Sequence, residues 1–260
     1  MKTLKTAILS TAAALVCMTG ASAATETITL WDFQDYYYDN VLMDWVVTPK
    51  YTPSIGSGTW EAQGTAVWDP DQEDHRDPTK PDELNSSSDP IHLINEFMGY
   101  ALDFDQSPAQ GTGNKTSGVR FNVSTENYEN IVLSFDVRLK YRSPRHWRLQ
   151  YTADGSTWID SILFEADNPN QADHFHFWGA DLSGITEIND NPNFGFRLVS
   201  EFGPSGGYEA AHKTSVFRQR DLLRVDMVQV SGTVVPEPSS MLVLLTGAAG
   251  FAGIALRRKS

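Results

Sequence analysis

An eleven-residue run with strict two-residue periodicity constrains the fold of this chain more than any other feature. From Ile131 to Tyr141 (IVLSFDVRLKY), every odd position is aliphatic or aromatic, and most even positions are polar or charged. A strand with one buried face shows this alternation, because successive side chains point to opposite sides of a sheet. A helix would scatter the same residues around its circumference. The run therefore predicts a half-buried β-strand.

Segments on both sides of this run show similar patterns. Residues 119–123 and 147–151 alternate in the same way, and Asp154-Gly155-Ser156 predicts a turn before a return strand at 158–164. No segment carries a long 3.6-residue apolar repeat. Further strands are predicted at residues 27–33, 59–68, 174–178, 193–199 and 222–230, and residues 91–105 are predicted to form either one strand or two strands around Gly99. The chain is therefore predicted to be all-β, with one two-sheet β-sandwich of jelly-roll type at residues 24–235. Residues 69–90 and 106–117 are predicted loops, which gather at the sheet ends and can carry function.

The first 23 residues have the layout of a secretory signal peptide. Two lysines precede an apolar stretch at residues 7–16, and Ala21 and Ala23 place small residues at the third and first positions before a cleavage site. Cleavage after Ala23 by signal peptidase would remove Cys17, which is the single cysteine of the chain. The alternatives are lipidation at Cys17, which its apolar neighbours fit poorly, and a buried N-terminal helix.

The C-terminal 25 residues also have three parts, but here the basic residues follow the apolar segment and do not precede it. Residues 240–256 carry no charge, and as a helix they would span about 25 Å, enough for a thin bilayer. Positive charge tends to stay in the cytoplasm, so the basic end predicts that the body lies outside. The flanking residues are Pro236, Glu237 and Pro238 before the apolar segment, and Arg257, Arg258 and Lys259 after it.

This Pro-Glu-Pro motif, apolar segment and basic terminus together resemble the PEP-CTERM sorting signal. That signal occurs in exported bacterial proteins that exosortases process, and it is associated with exopolysaccharide production. The resemblance implies transient insertion in the inner membrane, removal of the tail near Pro236 by an exosortase, and delivery to the cell surface or extracellular matrix. A permanent single-span anchor is the alternative. The predicted divisions are a signal peptide at 1–23, a β-sandwich at 24–235 and a sorting signal at 236–260.

Segments between residues 117 and 232 are also similar to exported β-sandwich proteins that often carry this tail, which supports the fold and export but implies no reaction. The body is strongly acidic, because the leader and the tail hold five of the 20 basic residues and one of the 33 acidic residues. The 15 basic and 32 acidic residues that remain have a net charge of −17. This balance argues against a nucleic-acid partner, which would need a basic surface.

An acidic run is the candidate calcium site and the stronger of two metal-binding interpretations. Residues 69–77 contain five carboxylates, and Asp69, Asp71 and Asp74 are spaced so that their oxygens can converge on Ca²⁺. The alternative is a solvated acidic loop. His174 and His176 share one face of a predicted strand and are a second, weaker metal candidate, against an exposed strand face.

Aromatic residues near the N-terminus are candidates for sugar binding. Exposed rings can stack on sugar rings, whereas the alternative is packing in the core, for which the same residue types are suited. The cluster consists of Trp31, Phe33, Tyr36, Tyr37, Tyr38 and Trp45. It makes extracellular polysaccharide a candidate partner.

Catalytic motifs are weak. The chain has no G-x-S-x-G elbow, and a mature chain without cysteine has no Cys–His site. Asp103 and Asp105 alternate on one predicted strand face, and Tyr141, Arg145 and His146 form a loose group of the kind that a lyase uses. The sequence therefore predicts an exported, non-catalytic surface or matrix protein associated with exopolysaccharide. The alternative is a secreted glycan hydrolase or lyase on a sandwich scaffold.

Overall fold

A computed structural model describes residues 24–42, 44–68, 100–166, 175–220 and 223–235. Within these ranges the structure contains β-strands and a single 3₁₀ turn at Thr186–Ile188, which confirms the all-β prediction. No helix in the described ranges is long and apolar enough to cross a membrane. The strands are β1 Thr25–Trp31, β2 Gln34–Asp39, β3 Asp44–Pro49, β4 Thr59–Gln63, β5 Val67–Trp68, β6 Leu102–Asp105, β7 Gly118–Asn122, β8 Tyr128–Arg138, β9 His146–Thr152, β10 Ile159–Glu165, β11 Phe175–Asp181, β12 Gly195–Glu201 and β13 Leu223–Val234.

Two antiparallel sheets pack face to face. Sheet I has the order β11-β8-β13-β6-β5, with β1 also paired to β13, and sheet II has the order β10-β9-β12-β7-β4. Both sheets contribute to one buried core, in which Trp31 contacts Phe121 and Phe121 stacks on Phe196 with ring centroids 5.1 Å apart. The predicted two-sheet sandwich is thus confirmed, whereas its jelly-roll class remains a prediction.

The alternating run forms β8 as predicted. Its odd-numbered residues from Ile131 to Val137 are at most 2% exposed, because they face sheet II across the core. The strand ends at Arg138, three residues before the predicted end, so Tyr141 lies in the following connection and is 46% exposed.

Strand β13 organises sheet I because both of its edges are paired. Strand β8 occupies one edge, while β6 pairs with residues 223–225 and β1 with residues 228–233. The register shifts between Asp226 and Gln229, where Met227 has a φ of 47°, as expected for a β-bulge.

Two N-terminal segments differ from the prediction. Residues 59–68 were expected to form one strand, but they divide into β4 in sheet II and β5 in sheet I. Gly64 lies at the division with a φ of 65°, and a Cβ there would come within 2.1 Å of the Thr116 carbonyl oxygen. Glycine is therefore required at this crossing between the sheets. The hairpin of β2 and β3 was not predicted from the sequence.

Candidate functional site

Two long connections meet at one end of the sandwich and enclose a groove. They are residues 106–117 between β6 and β7, and residues 202–220 between β12 and β13. The groove consists of two adjoining cavities of about 560 and 530 Å³ that share Gln110 and Phe217. We call it the loop groove, and its principal residues are Gln110, Arg145, Tyr208, Lys213, Phe217, Arg218 and Arg220.

The Gln110 side chain joins the two connections. Its Nε2 donates to the Tyr208 carbonyl oxygen at 3.0 Å, and its Oε1 accepts from the Tyr208 backbone N–H at 2.8 Å. One amide side chain thus satisfies both backbone groups of a residue 98 positions away. This double contact fixes the first wall of the groove against the second.

The connection at 202–220 is also held along its length by backbone hydrogen bonds. The Arg145 N–H donates to the Glu209 carbonyl at 2.8 Å, and the Ala211 N–H donates to the Ser143 carbonyl at 2.8 Å. Further along, the Arg218 N–H donates to the Arg142 carbonyl at 3.1 Å. The segment therefore lies beside the β8–β9 connection, and these hydrogen bonds fix its position there.

Three aromatic rings pack against one another at the groove. Tyr208 is 3% exposed and stacks on Phe217 with ring centroids 4.9 Å apart, while Phe202 packs edge-on against Tyr208. The Tyr208 hydroxyl donates to the Gly113 carbonyl at 2.9 Å, and burial raises the pKa of Tyr208. The hydroxyl therefore stays protonated and keeps its donor role. Phe217 is half-buried and lines both cavities.

Basic side chains surround these rings. Lys213, Arg218 and Arg220 are exposed, and Arg145 lies 3.5 Å from the carboxylate of Glu209. Among the described residues, Glu209 is the one acidic residue that lines these two cavities, against four basic ones. The loop groove is therefore a local concentration of positive charge in a chain whose net charge is −13.

The outer face of sheet II is a contrasting surface, because its charges pair with one another. Arg148 makes two hydrogen bonds to the carboxylate of Glu201, at 2.6 and 3.0 Å, and Lys115 contacts both Glu201 and Asp160. Hydrogen bonding and charge attraction from Glu201 raise the pKa of Arg148 despite partial burial. This face is therefore an internally satisfied polar surface.

The half-buried side chain of Trp158 lies against this paired surface. The guanidinium of Arg197 lies 4.3 Å from the Trp158 ring centre and that of Arg120 lies 5.0 Å from it. Arg197 also donates to the Gln150 side-chain oxygen at 2.6 Å, and burial lowers its pKa. The Trp158 ring therefore makes cation–π contacts with arginines from two neighbouring strands, β7 and β12.

The predicted aromatic sugar-binding cluster is not exposed where its side chains are described. Trp31 and Phe33 are fully buried in the core, so the packing alternative is the one observed for them. Tyr36 to Tyr38 and Trp45 belong to the β2–β3 hairpin, and only their backbone is described.

The candidate catalytic residues do not form a common site. Asp103 is fully buried and accepts from Arg224 at 2.9 Å, and Lys140 lies 3.4 Å from Asp103 and 3.5 Å from Asp105. Burial raises the pKa of Asp103, and the nearby cations oppose that shift. One lysine between two carboxylates is an ion-pair network that stabilises sheet I.

The loose lyase group is also separated by its contacts. Tyr141 packs against the ring of His212 with centroids 4.9 Å apart, whereas His146 is 5% exposed and its Nε2 lies 3.8 Å from Glu165. Of these residues only Arg145 lines the loop groove.

Metal-binding predictions fall mostly outside the described part of the chain. Asp69, Asp71, Asp74 and His174 are not described, and the described residues contain no group of three or more potential metal ligands. His176 lies on β11 with the same side-chain direction as buried Trp178, so it does not belong to an outward-facing polar row. The leader with Ala21 and Ala23, and the tail from Pro236 to Lys259, also lie outside the described residues.

Sequence reasoning identified the 106–117 loop but missed the opposite wall of the groove. The sequence does mark this wall by its charge. Residues 210–220 (AAHKTSVFRQR) contain three basic residues and no acidic residue, in a chain that is strongly acidic. Local reversal of charge can mark a binding surface even where no motif is visible.

Comparison with known proteins identifies the tail. Residues 234–259 match the family model of the PEP-CTERM protein-sorting motif. The chain carries a PEP-CTERM sorting signal. This match confirms the resemblance found in the sequence, and the PEP-CTERM motif implies export and processing by an exosortase.

Two solved structures are similar to the chain at low identity. One is the CBM22-1 xylan-binding domain of Paenibacillus barcinonensis Xyn10C, with 13% identity and a TM-score of 0.38, covering 84% of this chain and 99% of that domain. The other is the K3 cleaved adhesin domain of Lys-gingipain from Porphyromonas gingivalis, with 11% identity and a TM-score of 0.30, covering 66% and 91%. No curated protein matches the chain in sequence. Likenesses this low say nothing about what this chain binds.

Proposed function

We propose that this chain is a non-catalytic protein of the cell surface or extracellular matrix that associates with polysaccharide through the loop groove. The PEP-CTERM motif accounts for its export. The observation that carries the binding proposal is the groove itself, where Phe217 lies between two cavities lined by hydrogen-bonding side chains. Sugar rings have apolar faces and polar edges, so they are recognised by an aromatic ring together with polar groups.

The rigid walls of the groove favour this proposal. Gln110 and the backbone bonds along 209–218 hold the 202–220 connection in place before any ligand arrives. A site with this shape already formed loses little conformational entropy on binding. Because its mouth is exposed, the groove suits a polymer that passes through it better than a small molecule that must be enclosed.

The proposal of a non-catalytic role is supported by the uses that the carboxylates already have. Asp103 and Asp105 are bound through Lys140, and Glu209 is bound to Arg145. A glycan hydrolase of the usual kind needs two carboxylates that both reach the same glycosidic bond. Incubation of the protein with anionic and neutral polysaccharides, followed by assays for reducing ends and unsaturated products, tests this. Turnover that survives purification of the protein would overturn the non-catalytic proposal.

The maturation route follows from the two ends of the sequence. We expect signal peptidase to cut after Ala23, residues 240–256 to insert transiently in the inner membrane, and an exosortase to remove the tail near Pro236. Mass spectrometry of the native protein should find termini near Ala24 and Pro236. A mature protein that retains Lys259 would instead support a permanent anchor.

Phe217 provides the test of polysaccharide binding. We expect Phe217→Ala to weaken retention of the mature protein in affinity electrophoresis gels that contain polysaccharide, because the stacking surface is lost. Phe177→Ala is the matched control, since Phe177 is 59% exposed on edge strand β11 and lines neither cavity. Equal effects of the two substitutions, or no retention of the unaltered protein by any glycan, would contradict the proposal.

Calcium binding is tested separately, by thermal unfolding. If Asp69, Asp71 and Asp74 bind Ca²⁺, the melting temperature should rise with added Ca²⁺ and fall with chelator. An unchanged melting temperature would favour the solvated acidic loop.

A further inference from the structure

We propose that the loop groove selects an anionic polysaccharide, meaning a glycan chain with regularly repeated carboxylate or sulfate groups. This inference rests on the proposed polysaccharide binding and adds the chemical class of the ligand. It is carried by the position and the pairing state of three basic residues.

Three of the four basic residues of the groove lie close together in the sequence. Lys213, Arg218 and Arg220 lie within eight consecutive positions, although the body between the two targeting segments has only 15 basic residues among 32 acidic ones. Charges of one sign that lie this close repel each other, which costs stability unless a counter-charge is bound. The cluster is therefore expected to favour anionic ligands.

These three cations have no carboxylate partner within the described residues. No acidic group in that part of the chain lies within ion-pair distance of Lys213, Arg218 or Arg220, and all three are exposed. Less exposed basic side chains elsewhere are paired, such as Lys50 with Asp35 at 2.8 Å.

The basic side chains lie in both cavities, and Phe217 is common to the two. Lys213 lines the first cavity, Arg218 and Arg220 line the second, and Phe217 lines both. A polymer in the groove would place one residue against the Phe217 ring while anionic groups on either side meet cations. Arginine adds directionality, because its guanidinium can donate two parallel hydrogen bonds to one carboxylate or sulfate.

Duplex DNA is a polyanion that could compete with a glycan for the loop groove. The net charge of −13 repels a stiff, densely charged polymer such as duplex DNA, which would extend well beyond the groove. At physiological ionic strength screening limits electrostatic effects to about 8 Å, so a thin, flexible chain in the groove experiences mainly the local cations. The geometry therefore favours a glycan strand over a nucleic acid.

The test measures binding of the mature protein to polygalacturonate, dextran sulfate, neutral galactan, poly-glutamate and DNA at low and high salt. We expect polygalacturonate or dextran sulfate to bind and salt to weaken the binding, and the stronger of the two identifies the anionic group. Combined Lys213→Ala, Arg218→Ala and Arg220→Ala substitutions should weaken binding about tenfold or more, the scale of three exposed ion pairs.

Two controls separate charge from folding. Combined Arg218→Lys and Arg220→Lys substitutions retain the charge and should keep most of the affinity, and Lys50→Ala removes a paired cation outside the groove and should change nothing. A urea midpoint of the triple variant that is no lower than that of the unaltered protein verifies that the fold is intact, because the three altered side chains are exposed.

The failures are distinguishable. If neutral galactan binds as tightly as polygalacturonate and the triple variant keeps its affinity, charge selection is wrong while polysaccharide binding stands. If poly-glutamate or DNA binds as tightly as the anionic glycans, the groove is a general anion site and the assignment to a glycan is overturned. If no glycan binds, the proposed function fails, and this inference fails with it.

Discussion

Replacement of Gln110 by leucine tests whether one side chain holds the loop groove together. In the native structure the Gln110 amide donates to the Tyr208 carbonyl at 3.0 Å and accepts from the Tyr208 N–H at 2.8 Å. Leucine has a similar size but can make neither hydrogen bond. The substitution therefore removes both Gln110 hydrogen bonds to Tyr208 without removing bulk, while the hydrogen bond from the Tyr208 hydroxyl to the Gly113 carbonyl remains.

The expected magnitude follows from these two bonds. A neutral hydrogen bond contributes about 0.5–1.5 kcal/mol net, and a buried group that loses its partner costs about 1–3 kcal/mol. Tyr208 is buried but Gln110 is exposed, so water replaces part of the loss. The free energy of local opening of the 202–220 connection should fall by about 1–3 kcal/mol, which corresponds to roughly 5- to 150-fold faster exchange of the Tyr208 amide hydrogen.

Hydrogen–deuterium exchange followed by NMR or mass spectrometry measures this rate at Tyr208. Gln110→Glu should give an intermediate result, because a carboxylate still accepts from the Tyr208 N–H but cannot donate to its carbonyl. The control is Gln63→Leu, since the Gln63 amide donates only to the adjacent Ala62 carbonyl at 3.3 Å in the described structure. Unchanged exchange at Tyr208 in Gln110→Leu, or the same acceleration in Gln63→Leu, would refute the reasoning.

Two further predictions concern stability. Phe196→Ala should lower the free energy of unfolding by about 3–5 kcal/mol in urea titration, because Phe196 is 2% exposed and stacks on Phe121. The control Val216→Ala should change the free energy of unfolding by less than about 0.5 kcal/mol, because Val216 is 80% exposed. Asp154→Ala should lower the melting temperature at neutral pH, because the Asp154 carboxylate accepts backbone hydrogen bonds in the β9–β10 turn that hold its pKa well below the ordinary 3.8. A carboxylate whose pKa is lower in the folded state than in the unfolded state stabilises the fold above about pH 3.8, and this effect is lost as the pH falls further. The difference in melting temperature between Asp154→Ala and the unaltered protein should therefore shrink in acid. A difference that stays constant with pH would contradict this cause.

The strands were the part of the fold most accessible from sequence. The alternation of β8 and the Asp154-Gly155-Ser156 turn are local patterns, and a local pattern is enough to say which side chains share one face of a strand. The boundary errors have local causes as well. The 59–68 segment looks continuous in sequence, but it changes sheets at Gly64, and that change depends on the close approach of the backbone at Thr116.

The candidate site was less accessible because its contacts are long-range. Gln110 and Tyr208 are separated by 98 positions, and nothing in either segment indicates that the other lies beside it. The aromatic cluster illustrates the same limit, since Trp31 and Phe33 belong to a residue class suited both to cores and to sugar-binding surfaces. Trp31 ends β1, so its complete burial depends on the position of β1 beside β13, which a local pattern does not specify.

The sequence by itself determined the all-β character of the chain, its strongly acidic body and the PEP-CTERM signal, because periodicity, composition and a contiguous motif are properties of neighbouring residues. Only the tertiary structure decided which basic residues are available to a ligand. Arg120 and Arg218 are equivalent by residue type, yet Arg120 lies 3.2 Å from Glu61 on the neighbouring strand, whereas Arg218 lines the loop groove and has no carboxylate partner in the described structure. Register across a sheet and the meeting of distant loops set that difference, because ion pairing depends on distance in space and not on separation along the chain.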